Sequence, residues 1–367
     1  MTGSLDGIDA IGTVDFGRSE IVVRTRPASG RVSVRFLTVC LVLALLTLVT
    51  ATIAIGVGEI RISFVDVVRA LLVDDSGLFR MVVVEWRLPR AVAAILFGAA
   101  LGLSGGVFQS LTRNPLGSPD IIGFDTGAFT GVLVGVLMLE ISGTSQRSAC
   151  ALIGGIAVAM VVYLLAYRRG VQGFRLIIVG IGVGAMLGSI NSYLLVRADD
   201  TTALQIGLWA AGSLVDIGWS QVVPAAIGIA AAGLLIGSQA HSLRELELGD
   251  EVAIAHGVAT GRTRLICLLA GTACVAVVTA TCGPISFVAL AAPQLARRLV
   301  RSGSVALLPA ALVGALLLTL ADLVSLVLGV HAIGFPTGLV TVSLGGLYLI
   351  WLLIHEGRWR AALAASS

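Results

Sequence analysis

The run FLTVCLVLALLTLVTATIAIGVG, residues 36–58, holds 23 residues without a charge. About 20 apolar residues cross the hydrocarbon of a bilayer as one helix. Ahead of the run lies a polar stretch, residues 1–35, that carries Arg18, Arg24, Arg26, Arg31 and Arg35. A cleaved secretory signal has a short basic start and an apolar core of about 7–15 residues. Both the tail and the run exceed that pattern, so residues 36–58 read as a first spanning helix that stays on the protein.

The rest of the chain has the same character. Of its 367 residues, 57% are hydrophobic and 12% charged, and the mean hydropathy is +1.01. Soluble domains run near 45–50% apolar and about 25% charged. This length has room for roughly ten spans, which leaves no soluble domain of about 100 residues. A scattered net charge of +3 does not suggest nucleic acid.

Working outward from the first span, further spans are expected near 91–110, 125–142, 148–167, 174–196, 218–237, 264–282, 285–300, 304–328 and 336–354. Between the first two, ISFVDVVRALLV (62–73) has helical apolar spacing and suits the membrane surface, with Arg87-Leu-Pro-Arg90 as its stop. The expected fold is all-α and polytopic, with about ten spans and both termini on one side. On this map 17 of the 24 arginines share the side of the termini. The excess of Arg marks that side as cytoplasmic. The expected organisation is therefore a cytoplasmic tail over 1–35, a membrane domain over 36–355 and a cytoplasmic tail over 356–367.

Several chemistries are excluded. The chain contains no lysine, and a Walker A phosphate loop needs one. A Schiff-base lysine and a pyridoxal phosphate site are excluded with it. Cys40, Cys150, Cys267, Cys274 and Cys282 form no Cys-x-x-Cys and sit in apolar surroundings, where thiols act as small hydrophobes. With four His and no His/Cys cluster, no metal site is expected.

One internal segment looks soluble. SQAHSLRELELGDEVAIAHGVATGRT (238–263) is charged, yet keeps an apolar helical pattern at Leu243, Leu246 and Leu248, then at Val252, Ala253 and Ala255. Gly249 separates the halves and Gly257 ends the second, so two short helices with a tight joint are expected. An amphipathic loop is the plainer reading; a docking surface for a cytoplasmic partner is the sharper one. Arg113-Asn-Pro-Leu-Gly-Ser-Pro-Asp120 reads as a rigid turn on the same side.

Polar groups inside the spans are few: Gln109, Asn191, Gln294 and Asp322. A carboxylate within a span is costly and marks function by default. Asp322 has no Glu, His or Lys chain near it in sequence to relay protons, so an inter-helix hydrogen bond is expected there. That argues against a stand-alone proton-coupled transporter, and no nucleophile–base pair suggests an intramembrane enzyme. Glycine is abundant, 45 of 367, and in GFDTGAFTGVLVGV and GIGVGAMLGS it recurs four residues apart. Small residues let helices approach closely in lipid; they also thin a wall to leave room for a large solute.

These segments together resemble the FecCD/BtuC-type permease family, the membrane subunits of bacterial ABC importers for iron chelates and vitamin B12. The matching stretches are Arg87-Leu-Pro-Arg90, GAALGLSGGVFQSLTRNPLGSPDIIGFDTGA (98–128), LWAAGSL (208–214), LELGDEVAIAHGV (246–258), GPISFVALAAPQLARR (283–298), LTLADLV (318–324) and FPTGLVTVSLGGLYLIWLL (335–353). FRLIIVGIGVGAM (174–186) and NPLGSPDIIGF look most like the ferric-enterobactin branch.

The resemblance implies a permease subunit that moves a ferric siderophore inward and is not itself an enzyme. Cobalamin or haem is the same-family alternative. It implies no cofactor on this chain, with ATP and Mg on a partner ATPase. It implies as partners a second, homologous permease chain, two ATPase subunits and a periplasmic or lipid-anchored binding protein. Leu246, Glu247, Leu248, Gly249, Asp250, Glu251, Ala255, His256 and Gly257, within 243–258, look like the segment that couples to the ATPase. Arg87 and Arg90 match arginines that face the binding protein. The chain departs from the family at Gln294, where His is common, and at Leu326, where Arg often stands.

Overall fold

The computed structural model describes residues 20–25, 28–58, 62–72, 77–141, 143–166, 173–329 and 335–348, with positions 350 and 354. Arg168, Arg169, Arg358 and Arg360, which count among the 17 arginines placed on the side of the termini, lie outside the described residues.

Each of the ten expected hydrophobic segments contains a helix among the described residues. α1 is Val34–Gly56. α2, Phe64–Leu72, is the short helix expected before the second span. α3 is Leu88–Thr112, α4 Phe124–Met138, α5 Thr144–Ala166 and α6 Gly173–Arg197. α7 is Asp200–Ala210 and α8 Trp219–Ser238. α9 is Ala240–Leu248 and α10 Asp250–Ala255. α11 is Thr260–Cys282, α12 Val288–Val300, α13 Leu307–Gly329 and α14 Thr337–Tyr348. The N-terminal stretch adds an antiparallel hairpin, β1 (Glu20–Thr25) and β2 (Ala28–Ser33), which the sequence analysis did not anticipate. Ser33 then caps α1, accepting from the Phe36 N–H at 3.2 Å.

The helices differ in reach. Among the described residues seven are long and apolar enough to cross a membrane, and α4 and α14 are shorter apolar helices. α12 has 13 residues, about 20 Å at 1.5 Å per residue, against about 30 Å of hydrocarbon. The segment 285–300, expected as a full span, thus contributes a short helix packed on α3 and α13. Its entry explains the shortfall. Gly283 and Phe287 have φ of 77° and 79°, and Pro284 between them fixes its own φ, so the chain becomes helical only at Val288.

α3 is the central mast, packed by α1, α8, α11, α12 and α13, with Phe97, Leu101, Val107 and Phe108 buried. Gly98 and Gly314 bring α3 and α13 backbone to backbone. A methyl on either glycine would overlap the other's carbonyl oxygen. Ser104 Oγ ties the mast to α11 by donating to the Gly271 carbonyl at 2.8 Å.

Arg87-Leu-Pro-Arg90 was expected to stop a helix, and it does not. The helical run continues from Met81 to Thr112, 32 residues, because Met81–Arg87 winds as a π-helix. The Leu88 N–H reaches the Val83 carbonyl, five residues back. The next bond in that register would join Pro89 to the Val84 carbonyl, and proline has no N–H. Trp219 Nε1 donates to that carbonyl at 2.9 Å, so the half-buried acceptor is satisfied from α8.

Candidate functional site

Two ends of the bundle carry the candidate residues. At one end α9 and α10 form a hook. Leu243, Leu246 and Ala253 seat it on the bundle, at 2%, 1% and 0% exposure. Leu248 and Ile254 point away, at 65% and 60%, with Glu251, Ala255, His256 and Gly257 exposed beside them. Gly249 and Gly257 have φ of 124° and 81°. A methyl at either would meet nothing within 4 Å, so backbone conformation, not space, selects glycine there. His256 Nδ1 lies 2.6 Å from Glu245 Oε2 and pins α10 against α9.

Two carboxylates hold the hook to the spans. Glu247 accepts from Ser110 Oγ at 2.6 Å and from the Val305 N–H at 3.3 Å. It thereby links the hook to the end of α3 and the entry to α13. Asp250 Oδ1 receives Arg264 Nη2 at 2.6 Å and also pairs with Arg113 Nη2. Arg113 Nε donates to the Leu246 carbonyl at 2.9 Å. Burial pushes the Asp250 carboxyl up, but the Arg264 and Arg113 guanidiniums outweigh it and hold it below the ordinary carboxylate value. Sequence reasoning found Glu247 and Asp250 but missed Ser110, Arg113 and Arg264. The one signal for Arg113 and Arg264 was their place at span ends on the hook's side.

At the other end, Arg87 and Arg90 line a cavity of about 670 Å³ with Glu85, Trp86, Asp216 and Asp322. Arg87 Nη1 donates to the Ile55 carbonyl at 2.8 Å. Arg90 forks onto Asp322, with Nη2 and Nε at 2.8 and 3.0 Å from Oδ1. Thr337 Oγ1 donates to the same oxygen at 3.2 Å. Asp322 is thus bonded across helices, as expected, but it is not a lone charge: its partner lies 232 residues away in sequence. Arg90, expected to face outward with Arg87, is turned into this buried pair, its side chain 16% exposed and that of Asp322 1%. The pairing costs less than an isolated buried carboxylate would, and a planar fork suits it.

The remaining polar candidates join helices. Gln109 Nε2 donates to the Leu290 carbonyl at 3.0 Å, and Gln294 Nε2 to that of Pro115 at 2.8 Å. Tyr348 Oη donates to Gln294 Oε1 at 3.3 Å. Together they fasten α12 to the end of α3, the 113–118 turn and α14. Asn191 Nδ2 donates to the Thr126 carbonyl at 3.2 Å, joining α6 to α4. Asp125, which sequence reasoning did not single out, accepts from Thr279 Oγ1 at 3.0 Å and joins α4 to α11.

The chain matches the model of the FecCD transport family over residues 45–355. It is 46% identical to the ferric enterobactin transport system permease protein FepG of Escherichia coli strain K12, over 89% of this chain and 98% of that one. It is 33% identical to the hemin transport system permease protein HmuU of Yersinia pestis, over 75% and 84% of the two chains. A solved structure described as a metal-chelate type ABC transporter in an inward-facing conformation superposes with a TM-score of 0.74 at 27% identity, covering 88% of this chain and 99% of that one. This multi-pass protein of the bacterial inner membrane belongs to the FecCD transport family.

Proposed function

We propose that this chain is one of two permease subunits of an ABC importer that carries a ferric siderophore into the cytoplasm. The observation that carries the reading is the hook: a rigidly anchored helix pair with an apolar outer face at one end of a chain that has no lysine for a phosphate loop of its own. We read that end as cytoplasmic and the outer face, with Leu248, Glu251, Ile254 and His256, as the ATPase docking surface. ATP and Mg belong to two partner ATPase subunits. The cavity at the other end receives a carboxylate of a periplasmic or lipid-anchored binding protein. There Arg87 is the first cation met, and Arg90 becomes available when Asp322 gives it up. Such contacts orient a partner more than they hold it.

The similarity to a ferric enterobactin permease at 46% identity, against 33% for a hemin permease, favours a ferric siderophore over haem. A stand-alone secondary transporter finds no support in Asp322, whose charge is matched by Arg90. The test is uptake of a panel of radiolabelled iron-loaded siderophores, with haem and cobalamin alongside, by a strain deleted for this gene and complemented with it. ATP-dependent uptake of a ferric siderophore is expected. Restoration of haem or cobalamin uptake alone would replace the substrate, and uptake insensitive to ATP depletion would remove the importer.

A further inference from the structure

A partner that moves the hook does work on the bundle only if the hook cannot swivel. Its joint is a single glycine, Gly249, at φ 124°. α10 has six residues, of which Ala253 is the buried one. Apolar seating alone therefore leaves α10 weakly held.

Arg113 closes that gap. It stands at the end of α3, itself in the left-handed region at φ 49°. Its Nε bonds the Leu246 carbonyl in the last turn of α9, and its Nη2 bonds Asp250, the first residue of α10. One side chain thus bridges both sides of the glycine. Arg264 reaches the same Asp250 oxygen from the first turns of α11 at 2.6 Å. A cation near a helix N-terminus is unfavourable to the helix dipole, and Asp250 compensates it there. Bonds between ionised partners are the strong ones among hydrogen bonds.

We infer that Asp250, Arg113 and Arg264 form a positioning clamp that locks the hook's joint and passes its movement to α3 and α11. The inference rests on the permease reading above and assigns these residues to transmission, with the exposed apolar face left for docking. Glu247, gripping Ser110 and Val305 on the other side of the joint, keeps α9 in step with α13.

The test compares Arg264→Gln, Arg113→Gln, Asp250→Asn and the Asp250→Asn/Arg264→Gln double variant, each in the full-length tagged chain in its deletion strain. Each single variant is expected to lower the maximal rate of siderophore uptake by about tenfold without changing the half-saturating concentration. The double variant should lose no more than Asp250→Asn alone, and Arg264→Lys should recover part of the rate. The ATPase should copurify with Arg264→Gln in the wild-type amount. Additive losses, or loss of the ATPase from the Arg264→Gln complex, would overturn the clamp. Hydrogen exchange at Asp250–Ala255 in the purified chain reads it without transport: exchange should speed up in each single variant and no further in the double. Unchanged exchange overturns the clamp whatever uptake does, whereas a wild-type chain that restores no uptake overturns the permease reading instead.

Discussion

GFDTGAFTGVLVGV, residues 123–136, and GIGVGAMLGS, residues 180–189, carry glycine at similar spacing and meet different surroundings. In the first, on α4, a methyl at Gly131 would overlap the Cys150 carbonyl, and one at Gly127 would crowd Val158 and the Gly154 carbonyl. Here small residues serve contact within one chain, because α5 lies directly on them. In the second, on α6, Gly182 and Gly188 have nothing within 4 Å of an added methyl. Only 17% of the most apolar window of α6 is buried, against 72% for the helix that includes α3. Ile178, Ile181, Met186 and Ile190 stand exposed on the same helix. Glycine spacing alone therefore says that something approaches closely, and the fold decides whether it is a neighbour in the chain. The permease function proposed above would seat the second permease chain on this open side of α6.

The largest effect should separate these two uses. Gly131→Leu is expected to keep the chain from accumulating, because overpacking a tight contact destabilises and here the obstacle is the Cys150 backbone, which cannot swing aside as a side chain can. Gly182→Leu should accumulate normally and lose uptake. Immunoblots of membranes beside uptake assays decide it, and equal accumulation of the two variants would break the comparison.

A smaller effect probes the tightly packed side at its other end. Asp322→Ala leaves Arg90 buried without its carboxylate, a loss of about 3–5 kcal/mol, read as a lower melting temperature in detergent. Arg90→Met combined with Asp322→Leu should regain most of that stability. If the double variant melts as low as the single, the pair supplies more than charge compensation.

The smallest effect lies at the hook. Asp250 has a depressed carboxyl in the folded chain, so its stabilising share is present above the unfolded value near 3.9 and is lost as pH falls through the lower folded value. Hydrogen exchange over α10 should therefore be insensitive to Asp250 protonation from pH 8 to pH 5. Below about pH 4, exchange corrected for its intrinsic rate should rise. In Asp250→Asn that acid step should be missing, and an unchanged step would assign it to another carboxyl.

Much of this architecture could be read before any coordinates. Long, mostly apolar runs marked the helices, since a bilayer sets their length whatever their neighbours. Gly249 and Gly257 marked the hook because left-handed backbone needs glycine locally. What escaped depends on tertiary contact. The short α12 follows from Gly283, Pro284 and Phe287 acting together. The pairing of Arg90 with Asp322, and of Arg113 with Asp250, joins residues far apart in sequence, and neither partner announces the other. Arg87-Leu-Pro-Arg90 misled because the rule that proline ends a helix assumes α register and no outside donor.

That last exception fixes a phase. One residue is worth about 100° of turn on an α-helix, so a helix that gains or sheds its π stretch rotates everything beyond it about its own axis. The stretch over Met81–Arg87 is tied to α8 by the Trp219 indole on the Val84 carbonyl. Arg87 lies within the stretch and Arg90 just past it. The direction in which the first guanidinium looks, relative to the second, is therefore tied to α8, through a residue that carries no charge.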